Sequence, residues 1–439
     1  MLTLKDNKNK ENNKKNGNNR PKLIIKGGKA LKGVIAANGA KNAALPIMAA
    51  SILASGKICL QKVPDISDVE HMARILQFMG AEVQYNGDGC FIVDTSNFSK
   101  TRAPYKLVKK LNASFDITGA MVARFGEAHV PLPGGCVIGT RAVDMHLEGF
   151  RALGCEVEQE PGGFISVKAR KLVGGRVHFR RTSVGATKNV MMAAVLARGK
   201  TILENVAREP EVIDLANFLN CCGAGITGHG TGRIEIQGVR KLYPDIEYEI
   251  IPDRIESATY LLAGAITGGE VTVRNAEPEY LKTFLRKMRK AGQDIKIGND
   301  YIRITGVKPI QSVGAIITEP YPGFPTDLQP PMTALLSLSN GTTLVKEKIF
   351  NMRFSYIDEL RRMGADFQMD GNTVIVRGVE RLLGAPVEAP DIRAGGALIL
   401  AALSAEGKSE VYGLNFIDRG YEKIEEKLRE IGADIERVG

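Results

Sequence analysis

The chain has 439 residues, 44% hydrophobic and 25% charged, the balance of a globular protein long enough for two domains of about 200 residues each. No apolar run reaches the roughly 18 residues of a membrane span, and the opening MLTLKDNKNK has no apolar core for a signal peptide. Six cysteines without paired spacing, apart from adjacent Cys221 and Cys222, exclude a disulfide framework and a zinc site, and five scattered histidines add no metal motif. These features predict a soluble cytoplasmic protein with no metal, no cofactor and no membrane partner.

Residues 1–22 carry seven Lys and Arg against two acids, a net five of the formal +10. Residues 1–20 read as a disordered Asn/Lys-rich tail, because so polar a stretch cannot offset its own ordering entropy. The remainder is mildly basic, which suits an anionic small molecule at least as well as nucleic acid.

Beyond the tail one pattern repeats. An amphipathic helix such as DVEHMARILQFM ends in a glycine, and a short alternating hairpin follows it. Gly80, Gly154, Gly223, Gly292, Gly364 and Gly432 anchor the repeats at intervals of about 70 residues. Between them lie helices rich in small residues and apolar nearly all round: AKNAALPIMAASILA, FDITGAMVARFG, SVGATKNVMMAAVLA, RIESATYLLAGAI, DLQPPMTALLSL and DIRAGGALILAAL. Helices of that kind belong inside a fold. The expected architecture is α/β with six repeated units, three per domain, buried helices and outer sheets.

The starts of these helices carry Lys41, Ser183, Arg254, Asp327 and Asp391. Ser183, Asp327 and Asp391 suit N-caps. Lys41 and Arg254 oppose the helix dipole and suit a bound phosphate, since converging helix starts attract anions. In PGGCVIGTRAVD, Cys136 sits among Gly134, Gly135 and Gly139, a context for a moving thiol rather than a packed one. The segment from about Leu132 to Ala142 is therefore a lid candidate.

With GAKNAALP, PGGCVIGTRAVD, SVGAT, FPTDLQ and IDRGYEKIE in this order, the chain from about Leu23 onward resembles the enolpyruvyl transferases. The glycine-flanked cysteine favours the branch acting on UDP-N-acetylglucosamine over the shikimate branch. The resemblance implies a two-domain inside-out α/β barrel of βαβαββ-type units. Residues 21–40 with 252–439 would form one domain, and residues 41–251 the other, which carries the Cys136 loop. It implies transfer of the enolpyruvyl group of phosphoenolpyruvate to the sugar 3-hydroxyl with release of phosphate, the first committed step of peptidoglycan synthesis, and alkylation by fosfomycin.

By the same resemblance Lys41, Asn42, Arg141 and Arg419 hold phosphoenolpyruvate. Asp327 is the base, Cys136 the proton donor, and Lys41 and Arg419 complete the catalytic set. Arg141, Ala142, Val143, Asp144 and Met145, then Arg181, Thr182, Ser183, Val184 and Gly185, with Asp327 and Ile349, hold the UDP-sugar. Asp391, Arg393 and Arg353 support the site. The chain departs from the family at Asn112, where arginine is usual, at Arg181 for lysine, and at Tyr321 and Phe416 for histidines. Two alternatives stay open: a paralogous transferase with another nucleotide or nucleotide-sugar acceptor, and a non-catalytic binding module of the same fold, such as an RNA binder.

Overall fold

A computed structural model describes residues 20–85, 87–132 and 143–439, without the side chain of Asn112. Cys136, Arg141, Ala142, the three lid glycines and residues 1–19 lie outside the described residues. The chain divides into two compact units, one made of residues up to Asn38 and Pro252–Gly439, the other running from Gly39 to Ile251. Each has its own hydrophobic core.

The six anchor glycines all adopt positive φ, from 83° at Gly292 to 111° at Gly80, where a side chain is disfavoured. After each of the first five comes an antiparallel hairpin, such as Glu82–Tyr85 with Phe91–Asp94 and Asp366–Asp370 with Thr373–Arg377. The sixth repeat ends in one strand, Asp434–Val438, whose partner is the first described strand, Lys22–Lys26.

All six small-residue segments are helical and buried: Lys41–Ala50, Ile117–Phe125, Val184–Ala194, Arg254–Thr267, Gln329–Leu336 and Ile392–Ser404. Three fall in each unit, with three main sheets. In the first unit the sheets are four-stranded, plus a two-residue pair; in the second two are four-stranded and one three-stranded. Four of the five four-stranded sheets join a hairpin to a further antiparallel strand, the fifth has Asp434–Val438 and Lys22–Lys26 in the hairpin's place, and all five carry one parallel strand at an edge, as Arg176–His178 beside Lys200–Glu204. The sheets are separate ribbons, and no closed barrel ladder runs among the described residues.

Small residues let the helices touch. A Cβ at Gly119 would lie 2.1 Å from the carbonyl oxygen of Asn189, and one at Gly395 would lie 2.5 Å from Ile417. The second contact seats the turn before Arg419 directly on the Ile392 helix.

Candidate active site

In the first unit the site is organised around Asp327, in the turn Thr326–Leu328 that enters the Gln329 helix. Arg353 Nη2 donates to Asp327 Oδ1 at 2.8 Å, and Arg393 Nη2 donates to Oδ2 at 3.2 Å. Both arginine side chains are almost wholly buried, while that of Asp327 keeps 25% of its surface. A carboxylate held open between two guanidinium groups is placed to accept a proton from an alcohol. Burial opposes charge on Arg393, but Asp327, Tyr421 and Asp253 together raise it above the usual arginine value.

Asp391 caps the Ile392 helix, its Oδ1 accepting from the N–H groups of Arg393 and Ala394 at 2.9 and 3.1 Å. This aims Arg393 at Asp327. Among the described residues, Asp391 Oδ2, Arg393 Nη1 and both amide atoms of Gln329 are buried with no hydrogen-bond partner. So many unsatisfied polar atoms are unusual in a native interior and mark the surroundings of Asp327 as built for more than packing. Arg419, half-buried, follows the short Leu414–Ile417 helix, one residue before Gly420, which packs beside Arg393.

Sequence reasoning missed the residue that fixes this corner. Buried Glu347 accepts from Thr318 Oγ1 at 2.7 Å, from Thr326 Oγ1 at 3.0 Å, and from the N–H groups of Ile349 and Phe350 at 2.8 and 3.1 Å. One carboxylate thus ties the Asp327 turn to Ile349, itself 38% exposed. No local motif announces Glu347, since its partners are scattered along the chain. Asp253 was missed as well, though the pattern D-x-x-E could have found it: it caps the Arg254 helix and accepts from Ile255 and Glu256 N–H. Ser183 and Asp391 are the caps their positions suggested, whereas Asp327 lies inside the turn Thr326–Leu328 and the cap position of the Gln329 helix is Leu328.

In the second unit Lys41 opens its helix with Nζ 2.7 Å from Asp68 Oδ2, both side chains buried. Asn42 follows, half-buried. Asp68 balances a cation that the helix start would otherwise repel, and sequence reasoning had not paired the two.

The stretches Val143–Met145 and Arg181–Gly185 come together. Arg180 forms an ion pair with Asp144, and a Cβ at Gly185 would lie 3.1 Å from the His146 ring. Ser183 Oγ accepts from Ala186 N–H at 3.3 Å, Thr182 is half-buried, and Arg181 is exposed. Together they form a polar platform at two helix starts, with Met145 buried beneath it. Below lies a further cluster. Lys188 Nζ is 3.5 Å from Asp116 Oδ2, both side chains more than nine-tenths buried, and Asn189 Nδ2 is 3.0 Å from His146 Nδ1. Burial and the Lys188 charge push His146 down to about 3, so it is neutral.

No group of three His, Cys, Asp or Glu that could hold a metal occurs among the described residues, and no helix there is long and apolar enough to cross a membrane. What the two sites offer is cations, helix starts and one open carboxylate.

The family model of EPSP synthase, 3-phosphoshikimate 1-carboxyvinyltransferase, matches residues 25–428. The fold agrees. The enolpyruvyl transferase NikO of Streptomyces tendae superposes with a TM-score of 0.85 at 24% identity, over 96% of this chain and 99% of that one. EPSP synthase of Acinetobacter baumannii does so at 0.74 and 16%, over 95% and 100%.

Closer relatives refine the class. The chain is 46% identical to UDP-N-acetylglucosamine 1-carboxyvinyltransferase 2 of Caldanaerobacter subterraneus over 95% of its length and 99% of that protein. It is also 46% identical to UDP-N-acetylglucosamine 1-carboxyvinyltransferase of Clostridium botulinum, over 95% and 100%. The chain belongs to the EPSP synthase family and, within it, to the UDP-N-acetylglucosamine 1-carboxyvinyltransferases.

Proposed function

We propose that this protein transfers the enolpyruvyl group of phosphoenolpyruvate to the 3-hydroxyl of UDP-N-acetylglucosamine and releases phosphate, in the cytoplasm, as the committing step of peptidoglycan synthesis. The observation that carries the chemistry is Asp327, open to solvent yet gripped by buried Arg353 and Arg393. The relatives' names carry the acceptor.

In this reading Asp327 takes the proton of the sugar 3-hydroxyl as its oxygen attacks C2 of phosphoenolpyruvate. Cys136 delivers a proton to C3, turning the methylene into a methyl group. Loss of a proton from C3 then expels phosphate and restores the double bond, so no redox or metal step is needed. Lys41, Asn42, Arg141 and Arg419 bind the phosphate and carboxylate; bidentate guanidinium contacts suit oxyanions, and Lys41 acts as a point charge. Arg141, Ala142, Val143, Asp144 and Met145 cradle the uracil. Arg181, Thr182, Ser183, Val184 and Gly185 meet the diphosphate with N–H groups and a hydroxyl.

The reading extends to architecture, with residues 21–40 plus 252–439 and residues 41–251 as the two domains, each an inside-out barrel of three sheets around three helices. The test is phosphate release from phosphoenolpyruvate with UDP-N-acetylglucosamine, wild type beside Asp327→Asn. Strong wild-type release, cut roughly a hundredfold to ten-thousandfold in the variant, is expected for loss of a general base. No wild-type release with this acceptor, while phosphoenolpyruvate still binds, would transfer the reading to another nucleotide acceptor.

A further inference from the structure

Away from both sites, the strands Lys57–Gln61 and Phe91–Asp94 of the second unit pair antiparallel, with Cys59 opposite Ile92 and Leu60 opposite Phe91. Ile58, Leu60, Phe91 and Val93 face the core, which leaves Cys59 and Ile92 on the outer face. Continuing the register by one residue puts Cys90 opposite Gln61 and diagonal to Cys59 on that same face. The two sulfurs are 3.8 Å apart, and both cysteines are only part-buried.

We propose that Cys59 and Cys90 form a reactive dithiol site that peroxide closes to a disulfide and that trivalent arsenicals bridge. The positioning favours closure over separate oxidation of each sulfur. A diagonal pair starts just beyond the usual disulfide Cα separation, so one backbone must shift to bring the two together. Cys90 can supply that shift. It precedes its strand and follows Gly87 and Gly89, both at positive φ, and its N–H donates to the side chain of Asp88 at 3.0 Å.

Cys59 is fixed within its strand, and Gln61 Nε2 donates to its sulfur at 3.4 Å. Burial and the adjoining Cys90 thiol push the Cys59 thiol upward, so it retains its proton.

These properties assign the roles. Peroxide converts the Cys90 thiol to a sulfenic acid with release of one water. The Cys59 sulfur attacks the Cys90 sulfur, and the sulfenic hydroxyl leaves with the Cys59 proton as a second water. Two thiols are oxidised by two electrons and one peroxide is reduced. Neither cysteine belongs to the transfer chemistry, so the site stands independently of the proposed function.

The test treats the folded full-length protein with limiting hydrogen peroxide, alkylates the remaining thiols, and maps peptides without reduction. The expected product is a Cys59–Cys90 cross-linked peptide, reversed by dithiothreitol. Binding of phenylarsine oxide, read by loss of titratable thiols, should fall by one equivalent in both Cys59→Ser and Cys90→Ser. Recovery of Cys90 as sulfinic acid while Cys59 stays alkylatable would overturn the proposal. So would arsenical binding equal in wild type and both serine variants.

Discussion

His146 lies beneath the platform formed by Asp144 and Gly185, where its ring takes an edge contact from Phe115 and meets Asn189 Nδ2. With Lys188 nearby, burial holds its value at about 3 against 6.5 for a free histidine. The unfolded chain therefore binds a proton that the folded chain refuses. This contribution is whole above pH 6.5 and is lost as pH falls toward 3. Asp214 runs the other way: burial lifts it to about 6, so its contribution is present at low pH and lost as pH rises through that value. Comparing wild type with His146→Gln cancels Asp214, which both carry. Denaturant unfolding at pH 7 and pH 4 should show the variant gaining about 3 kcal/mol relative to wild type at the lower pH. A difference that does not move with pH would mean that His146 takes up a proton in the fold as readily as in the unfolded chain.

The elements were the most legible part of the sequence, because each rests on local signals. A glycine at the end of an amphipathic run forecast a left-handed cap, and all six anchors have one. Apolar residues around the full circumference forecast burial, and all six small-residue helices are buried. The hairpins followed from alternation. Less legible was how helices satisfy one another. Gly119, in the first turn of its helix, has an N–H with no partner in that turn, and Asn189 Oδ1 of the neighbouring helix accepts it at 2.6 Å.

Asn189 Nδ2 also donates to the carbonyl of Phe115 at 2.9 Å. Asn189 reads as one polar residue in an apolar helix, and only the folded chain shows that it caps another. Likewise Asp68 and Glu347 gave no signal, since their partners lie far away in sequence or in unrelated motifs. At Gly119 close approach and capping coincide, so Gly119→Ala should push the two helices apart. We expect a loss of about 1–3 kcal/mol in thermal or denaturant unfolding, the range for overpacking a core. An unperturbed variant would show that the helix contact is not tight.

The two ends of the described chain meet in one sheet. The first described strand, Lys22–Lys26, lies inside its sheet, between Lys408–Tyr412 and Asp434–Val438, with Leu23 and Ile25 fully buried. A strand near the start thus completes a repeat built from the end, and the first unit needs both. Residues 1–19 differ in kind: after Leu4 they contain no apolar side chain, and they carry five lysines against two acids. Deleting residues 1–19 should leave the melting temperature and phosphate release unchanged while lowering the formal charge from +10. Extending the deletion through Lys26 should abolish cooperative folding of the first unit, because two neighbouring strands lose their shared ladder. The same pair of proteins separates transferase from nucleic-acid binder. If filter binding of RNA disappears with residues 1–19, the basic tail is the binder; if it survives at physiological salt, the fold itself binds polyanions and the transferase reading must accommodate a second partner.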